Sequence, residues 1–187
     1  FVKRAGDVIP EVDRVCMDDR RKTNKIKTPK LCPSCKKPLT KISSQSIYKC
    51  TNESYCRPQI IQSIQHFASR KAMNISGLGE SIVESLVESN LINNFVDLYK
   101  LSTTNLLSVD RMAEKSSNKL ITSITKSKNT SFDKLIYALG IKEVGITTAQ
   151  NLSKTYMSLD SLMSATCDEL CLIDDIGEIV AENIFNY

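Results

Sequence analysis

Apolar residues recur along the second part of this chain in four successive copies of one pattern. Aligned on Gly79, Ala113, Gly145 and Gly177, the copies are separated by 34, 32 and 32 residues. The positions four before, one before and seven after the aligned residue are apolar in every copy, as in Ile75, Leu78 and Leu86 of the first. A period in this range with matched core and turn positions indicates a repeated supersecondary unit.

The first copy, residues 75–86, indicates what the unit is. Gly77 and Gly79 allow a tight turn that a side chain would block. Glu80 and Ser81 suit the first turn of a helix, and apolar residues then follow at helical spacing. We therefore predict a mainly α fold built from four tandem helix–hairpin–helix units.

The hairpin turns predict a place for phosphate, because a helix that starts at such a turn has unpaired backbone N–H groups at its N-terminus. Such donors contact the sugar–phosphate backbone, so we expect duplex binding without sequence preference and with a clear salt dependence. The predicted DNA-binding residues are Gly77, Gly79, Ser81, Arg111, Lys115, Gly145 and Thr147.

The four turns differ in charge. The second gains favourable charge from Arg111 and Lys115, although alanine replaces its aligned glycine. The third carries Glu143, and the fourth carries Asp174 and Asp175, whose charges would repel a phosphate. We rank the first and second turns above the third for DNA contact and assign the fourth a mainly structural role. The alternative, in which all four turns only build the fold, stays open.

Four cysteines precede the repeats as two close pairs with fourteen residues between them, Cys32 and Cys35, then Cys50 and Cys56. Four thiolates suit the tetrahedral preference of zinc, and a closed four-sulfur shell leaves no position for catalysis. We predict one structural zinc ion with a small β-hairpin between the pairs; two disulfides or free thiols are the alternative. The remaining cysteines do not fall into this spacing, and we expect Cys167 and Cys171 to lie in the core.

The stretch before the cysteines predicts a short strand, a turn at residues 6–7 and a second strand, too little to fold alone. We expect it to be the end of a domain lying upstream, and the chain to be part of a longer protein. Residues 20–30 are polar and basic, which is typical of a solvated linker or of a strip that follows a DNA backbone. His66, the only histidine, has no acid or nucleophile at a meaningful spacing, so we predict a packing or capping role and no catalytic residue.

Charge divides the chain more sharply than its net value of +4 indicates. Residues 1–73 hold 16 basic and 6 acidic side chains, whereas residues 74–187 hold 9 basic and 15 acidic ones. The basic half therefore has the footprint expected of a nucleic-acid partner. No apolar run reaches the roughly 18 residues of a membrane span, and no signal peptide is evident. Seven cysteines, an odd count, fit a reducing compartment better than a disulfide framework. With the expected DNA binding, this favours a DNA-containing compartment such as the cytoplasm with its nucleoid, or the host-cell equivalent.

Taken together, these motifs resemble the C-terminal half of an NAD-dependent DNA ligase over essentially the whole chain. The first segment, Arg4-Ala-Gly-Asp-Val-Ile-Pro10, is similar to the end of that family's OB-fold domain, and the four cysteines match its zinc finger in spacing. Residues 66–73 resemble the entry into its helix–hairpin–helix domain, and Leu139-Gly-Ile-Lys-Glu-Val-Gly145 resembles its third hairpin. The resemblance implies three parts: residues 1–30, the end of the OB-fold and a basic linker; 31–57, a four-cysteine zinc finger; and 58–187, four hairpins.

The resemblance implies an activity that needs more than this chain. In the family, a lysine in a Lys-x-Asp-Gly motif takes AMP from NAD and passes it to the 5′-phosphate of a nick. No such motif occurs in the 187 residues. We therefore expect NAD and Mg to be used by the full-length enzyme, and this chain to grip nicked duplex DNA beside the upstream adenylation and OB domains, with no membrane. The alternatives are a stand-alone, non-enzymatic DNA-binding protein and the DNA-binding arm of a repair nuclease.

Overall fold

A computed structural model of the chain describes residues 1–6, 9–16, 24, 27–41, 47–110 and 112–187. The fold is mainly helical and is preceded by two short strand pairs, which confirms the predicted fold class. Arg111 and most of the basic strip at residues 20–30 lie outside the described residues. Among the residues described, none of the helices combines the length and hydropathy that a bilayer-spanning segment requires.

Two antiparallel strand pairs occupy the first fifty residues. Strand β1 (Val2–Ala5) pairs with β2 (Ile9–Val12), with Val2 opposite Val12. Strand β3 (Leu39–Lys41) pairs with β4 (Tyr48–Cys50), with Leu39 opposite Cys50. The second pair is the small β-hairpin expected between the two cysteine pairs, and its register places Cys50 at the end of the ladder nearest the first cysteine pair.

The rest of the chain forms a series of short helices. They are α1 (Arg57–Ala68), α2 (Glu80–Glu88), a 3₁₀ helix (Phe95–Lys100), α3 (Thr103–Leu107), α4 (Glu114–Ser127), α5 (Phe132–Ala138), α6 (Ile146–Thr155), α7 (Leu159–Met163), α8 (Cys167–Cys171) and α9 (Glu178–Phe185). Four pairs of these helices pack together across a turn: α1 with α2, α3 with α4, α5 with α6, and α8 with α9. We call these pairs hairpins one to four.

Two hydrophobic cores organise the hairpins. The first core is shared by hairpins one and two, with Phe67 and Leu120 fully buried in it. The second is shared by hairpins three and four, around Leu152 and Leu170. The aligned apolar positions are buried in every copy except for Ile173, which is half-buried. The hairpins are therefore stabilised in pairs, since each buries the apolar face that its neighbour exposes.

Helix α5 joins the two cores. Its Ala138 packs in the first core and its Ile136 in the second. The His66 Nε2 atom of α1 lies 2.8 Å from the carbonyl oxygen of Tyr137, to which it donates a hydrogen bond, and the two rings pack with centroids 4.9 Å apart. The Tyr187 hydroxyl donates to the Leu139 carbonyl oxygen at 2.9 Å. The packing role predicted for His66 is thus observed, and it connects hairpin one to hairpin three.

The two late cysteines do not lie in the core as predicted. Cys171 is exposed and Cys167 is only half-buried. Helix α8 has five residues and buries one of them, Leu170. Since each helical residue is rotated by about 100° from the last, the side chain next to Leu170 points away from the core. The prediction for Cys171 was therefore wrong because the helix is too short to bury two neighbouring faces.

Ser117 occupies a buried core position at which the other hairpins carry Val83, Ala149 and Ala181. Its hydroxyl is fully buried and has no hydrogen-bond partner among the described residues. We expect Ser117→Ala to stabilise the protein by about 1 kcal/mol, because an unsatisfied buried hydroxyl is destabilising. Urea unfolding followed by circular dichroism measures the change.

The matched control is Ser116→Ala on the same helix. The Ser116 hydroxyl accepts a hydrogen bond from the Ala113 N–H at 2.9 Å, so this variant is expected to lose about 1 kcal/mol instead. A destabilised Ser117→Ala protein would show that the buried hydroxyl has a partner in solution.

Candidate metal centre and nucleic-acid interface

The four predicted zinc ligands are brought together in space. The Sγ atoms of Cys32, Cys35, Cys50 and Cys56 all lie within 4.8 Å of one another. Cys32 and Cys56 are 3.9 Å apart, and Cys35 and Cys50 are 3.5 Å apart. A tetrahedral ion with metal–sulfur bonds of about 2.3 Å places its sulfurs roughly 3.8 Å apart. The cluster can therefore hold a metal ion such as zinc.

Local backbone structure positions each thiol. The Lys36 N–H donates to the Cys32 carbonyl oxygen at 3.0 Å, and Lys36 adopts a left-handed φ of 59°, which closes the turn between the first two cysteines. Cys56 immediately precedes α1, and its N–H donates to the Asn52 carbonyl oxygen at 2.8 Å. The Gln59 side chain of α1 donates to the Cys50 carbonyl oxygen at 2.9 Å. The cysteine cluster is thus attached directly to the first helix of hairpin one.

The environment of the cluster lowers the pKa of one thiol and raises the pKa of two others. The backbone N–H of Lys37 is the main cause that lowers the pKa of Cys35 to about 6. The backbone N–H of Asn52 acts in the same direction on Cys50, but burial and the neighbouring thiols outweigh it and raise the pKa of Cys50 to about 12. Burial, followed by Cys32, raises the pKa of Cys56. Because thiols with a raised pKa stay protonated in the absence of a metal ion, metal binding to the cluster would release protons.

Three of the hairpin turns have a left-handed residue at the same position, although the residue type differs. Gly77, Glu143 and Asp175 occupy the same position of hairpins one, three and four, and their φ angles are 90°, 64° and 65°. The expectation that a side chain would block this turn was therefore wrong, because Glu143 and Asp175 adopt the left-handed conformation at a cost in strain. Arg111, their counterpart in hairpin two, lies outside the described residues.

The aligned glycines stand immediately before α2, α6 and α9 in extended conformation. No described side chain caps Gly79, Gly145 or Gly177, and a Cβ atom placed on any of them would meet nothing within 4 Å. The missing side chains therefore leave open space in front of these turns. Ser81 and Thr147 are exposed beside the first and third of them. Backbone donors at a helix N-terminus with this access suit an anion such as phosphate.

The turn of hairpin two is less accessible to a phosphate than its high predicted rank for DNA contact implies. Its Ala113 N–H already donates to Ser116 Oγ at 2.9 Å, so one amide that a phosphate would use has a partner inside the chain. Lys115 is exposed and keeps its favourable charge. Among the residues described, the turns of hairpins one, three and four are thus more accessible than that of hairpin two.

Hairpin four combines an uncapped turn with unfavourable chemistry for phosphate. Asp174 and Asp175 are exposed in the turn, and Ile179 is exposed where Ser81, Lys115 and Thr147 stand in the other copies. The mainly structural role of hairpin four remains a prediction. The exposed carboxylates of its turn, which would repel a phosphate, are in keeping with it.

Sequence reasoning missed the contact that holds the first turn in place. The Ser76 N–H donates to Ser123 Oγ of α4 at 2.7 Å, so hairpin two supports the turn of hairpin one. Forty-seven residues separate the two partners, and neither residue type carries a signal of such a contact.

Residues 134–187, which include most of hairpin three and all of hairpin four, match the family model of the helix-hairpin-helix motif. The match begins within α5 and ends at the last residue, and it contains the open turn at Gly145 and the acidic turn before Gly177.

Proposed function

We propose that this chain is the DNA-binding C-terminal portion of an NAD-dependent DNA ligase that seals nicks in duplex DNA during replication and repair. The observation that supports DNA binding best is the pair of open turns at Gly79 and Gly145, each with an uncapped helix N-terminus and free space in front of it. The helix-hairpin-helix match over residues 134–187 supports the same conclusion.

Such turns would hold the duplex by its backbone. Amide donors aimed at phosphate oxygens carry no sequence information, so every nick would be gripped alike. Because counterions are released on binding, the affinity should fall steeply with salt. The exposed Ser81, Lys115 and Thr147 would each add a contact beside the turn.

The four cysteines would hold one zinc ion with a structural role. Four thiolates complete the shell of a tetrahedral ion, so no position remains for substrate. Cys56 immediately precedes α1, so the ion would fix the small β-hairpin relative to hairpin one and to the DNA.

The share of this chain in catalysis would be positioning. Adenylation with NAD and the use of Mg belong to the upstream domains, and residues 31–187 would keep the broken strand ends in line for the sealing reaction.

Nick sealing by the full-length protein tests the ligase assignment. We expect a 5′-phosphorylated nick to be sealed with NAD but not with ATP, and the rate to fall when residues 31–187 are removed. Duplex binding without sealing by the full-length protein would instead favour a stand-alone DNA-binding protein, and strand cleavage would favour the arm of a nuclease.

Glu143 offers a separate test of the third turn. We expect Glu143→Gly to stabilise the protein by about 1 kcal/mol, because glycine adopts a left-handed φ without strain. The same variant should bind duplex DNA several-fold more tightly, because a carboxylate leaves the phosphate site. Urea unfolding and fluorescence anisotropy measure the two effects.

Two control variants separate the causes. Glu143→Gln removes the charge and keeps the strain, so only the affinity should rise. Asp175→Gly relieves the same strain in hairpin four, so only the stability should rise. Equal gains in DNA affinity from Glu143→Gly and Asp175→Gly would contradict the assignment of hairpin three as the DNA-contacting one.

A further inference from the structure

The net negative charge of residues 74–187 comes entirely from hairpin four. Residues 74–166 contain nine basic and nine acidic side chains, whereas residues 167–187 contain six acidic and no basic ones. The six are Asp168, Glu169, Asp174, Asp175, Glu178 and Glu182. All of them are exposed, so residues 167–187 present a carboxylate surface and contain no basic side chain of their own.

The exposed large hydrophobic side chains of residues 167–187 are Leu172, Ile179, Phe185 and Tyr187. Leu172 and Ile179 lie on either side of the fourth turn and are 86% and 70% exposed. Residues at the corresponding positions of the other hairpins are polar, charged or glycine: Asn74, Ser108 and Gly140 for the first, and Ser81, Lys115 and Thr147 for the second. The fold therefore does not require an apolar side chain at either place, since three copies of the unit form without one.

A cleft of about 570 Å³ opens beside Leu172, between α6 and hairpin four. Tyr156 and Ile173 line it together with the carboxylates of Glu169 and Asp174 and the side chain of Lys154. Apolar groups, two carboxylates and one lysine thus line the same concave space. Exposed apolar residues next to such a cleft are typical of an interaction site.

We propose that this surface, made of Leu172, Ile179, the neighbouring carboxylates and the cleft, docks a polypeptide segment that carries basic and apolar side chains. Nucleic acid and anionic lipid are disfavoured because their phosphates would face the six carboxylates of residues 167–187, against which the cleft sets only the one lysine, Lys154. Lysine or arginine side chains of a partner would complement the carboxylates, and its apolar side chains would cover Leu172 and Ile179. The proposal is independent of DNA binding by the other hairpins.

The probe is a fluorescent amphipathic peptide of lysine and leucine, and its binding is measured by fluorescence anisotropy. The salt concentration is about 0.15 M, because attraction between exposed charges alone then contributes little to the affinity. We expect it to bind the complete chain and to bind the double variant Leu172→Ser/Ile179→Thr at least about tenfold more weakly, because two apolar contacts are lost. These substitutions introduce the residues found in hairpins two and three, and both side chains are exposed, so the fold is kept. The variant's affinity for nicked duplex should not change.

Val96→Thr is the matched control, because Val96 is also an exposed apolar residue, 52% exposed, but lies outside hairpin four. It should bind the probe as the original chain does. A lysine–serine peptide of equal charge should bind more weakly than the lysine–leucine peptide. The proposal is overturned by unchanged probe binding in the double variant, by equal binding of the two peptides, or by a loss of DNA affinity in the double variant. It is also overturned if sedimentation shows that Leu172 and Ile179 pair two copies of the chain.

Discussion

The Cys50→Ser variant is expected to lose its metal and the structure of residues 31–56, while the helices remain folded. Among the described residues of that segment only Cys32 and Cys56 are buried, so it has no apolar core of its own. Each strand of its β-hairpin has three residues. Metal binding to a site of this kind contributes about 10–16 kcal/mol, far more than such a hairpin can supply.

The hairpins should survive because their cores contain no residue of the cysteine segment. The first core begins with residues of α1, including Ile64 and Phe67, which lie beyond Cys56. The expected damage is therefore local: residues 31–56 and the first turn of α1 exchange their amide hydrogens rapidly, and the remaining helices keep their protection.

Elemental analysis and hydrogen exchange measure these two effects. The original chain should contain one zinc per molecule, Cys50→Ser should contain none, and Cys171→Ser, which removes an exposed thiol outside the cluster, should keep one. Absence of zinc from the carefully purified original chain would remove the metal assignment. Loss of helical protection in Cys50→Ser would show that the two cores depend on the metal centre.

The Gly79→Val variant is expected to bind nicked duplex DNA roughly 10- to 100-fold more weakly without unfolding. Its φ of −77° is accessible to valine, and the new Cβ atom would meet nothing within 4 Å inside the chain. The added side chain would instead occupy the space through which a phosphate approaches the turn. Losing one charge-assisted hydrogen bond costs about 1.5–3 kcal/mol, which corresponds to this range of affinity.

Gly79 is a sharper probe of the turn than Gly77. Gly77 has a φ of 90°, so any larger residue there strains the backbone, and a loss of DNA affinity could come from that strain instead of from the blocked space. The matched control is Gly177→Val in hairpin four, where the glycine also precedes a helix, has a φ of −89° and has nothing within 4 Å of a Cβ atom. We expect that variant to bind DNA normally.

Gel-shift titration of a nicked duplex, with zinc content and circular dichroism measured in parallel, compares the two variants. Equal affinity of Gly79→Val and the original chain would count against the first turn as a phosphate site. Equal weakening by Gly79→Val and Gly177→Val would show that hairpin four also contacts DNA and would remove the ranking of the turns.

The repeat and its buried positions could be predicted from the sequence. Leu78, Met112, Val144 and Ile176 recur at a fixed place relative to the turn, and burial of apolar surface acts on each copy alike. The cysteine spacing likewise predicted the cluster, because two close pairs joined by a short β-hairpin can converge on one ion. Both signals are local or strictly periodic, so they can be read along the chain.

Contacts between distant elements were decided by the tertiary structure alone. Ser123 supports the turn at Ser76 from 47 residues away, and His66 reaches the carbonyl of Tyr137 across 71 residues. No local pattern predicts such hydrogen bonds, because they depend on how two helices pack rather than on the propensity of either residue.

The accessibility of each turn was also a matter of three-dimensional structure. The sequence determined that there are four related units, a cysteine cluster before them and acidic residues in the last. Only the structure showed that Ser116 accepts the hydrogen bond of the Ala113 N–H, and that Glu143 has a left-handed φ as Gly77 does. The reason is physical: composition sets which groups a turn contains, whereas backbone dihedral angles and neighbouring side chains decide which of them face solvent.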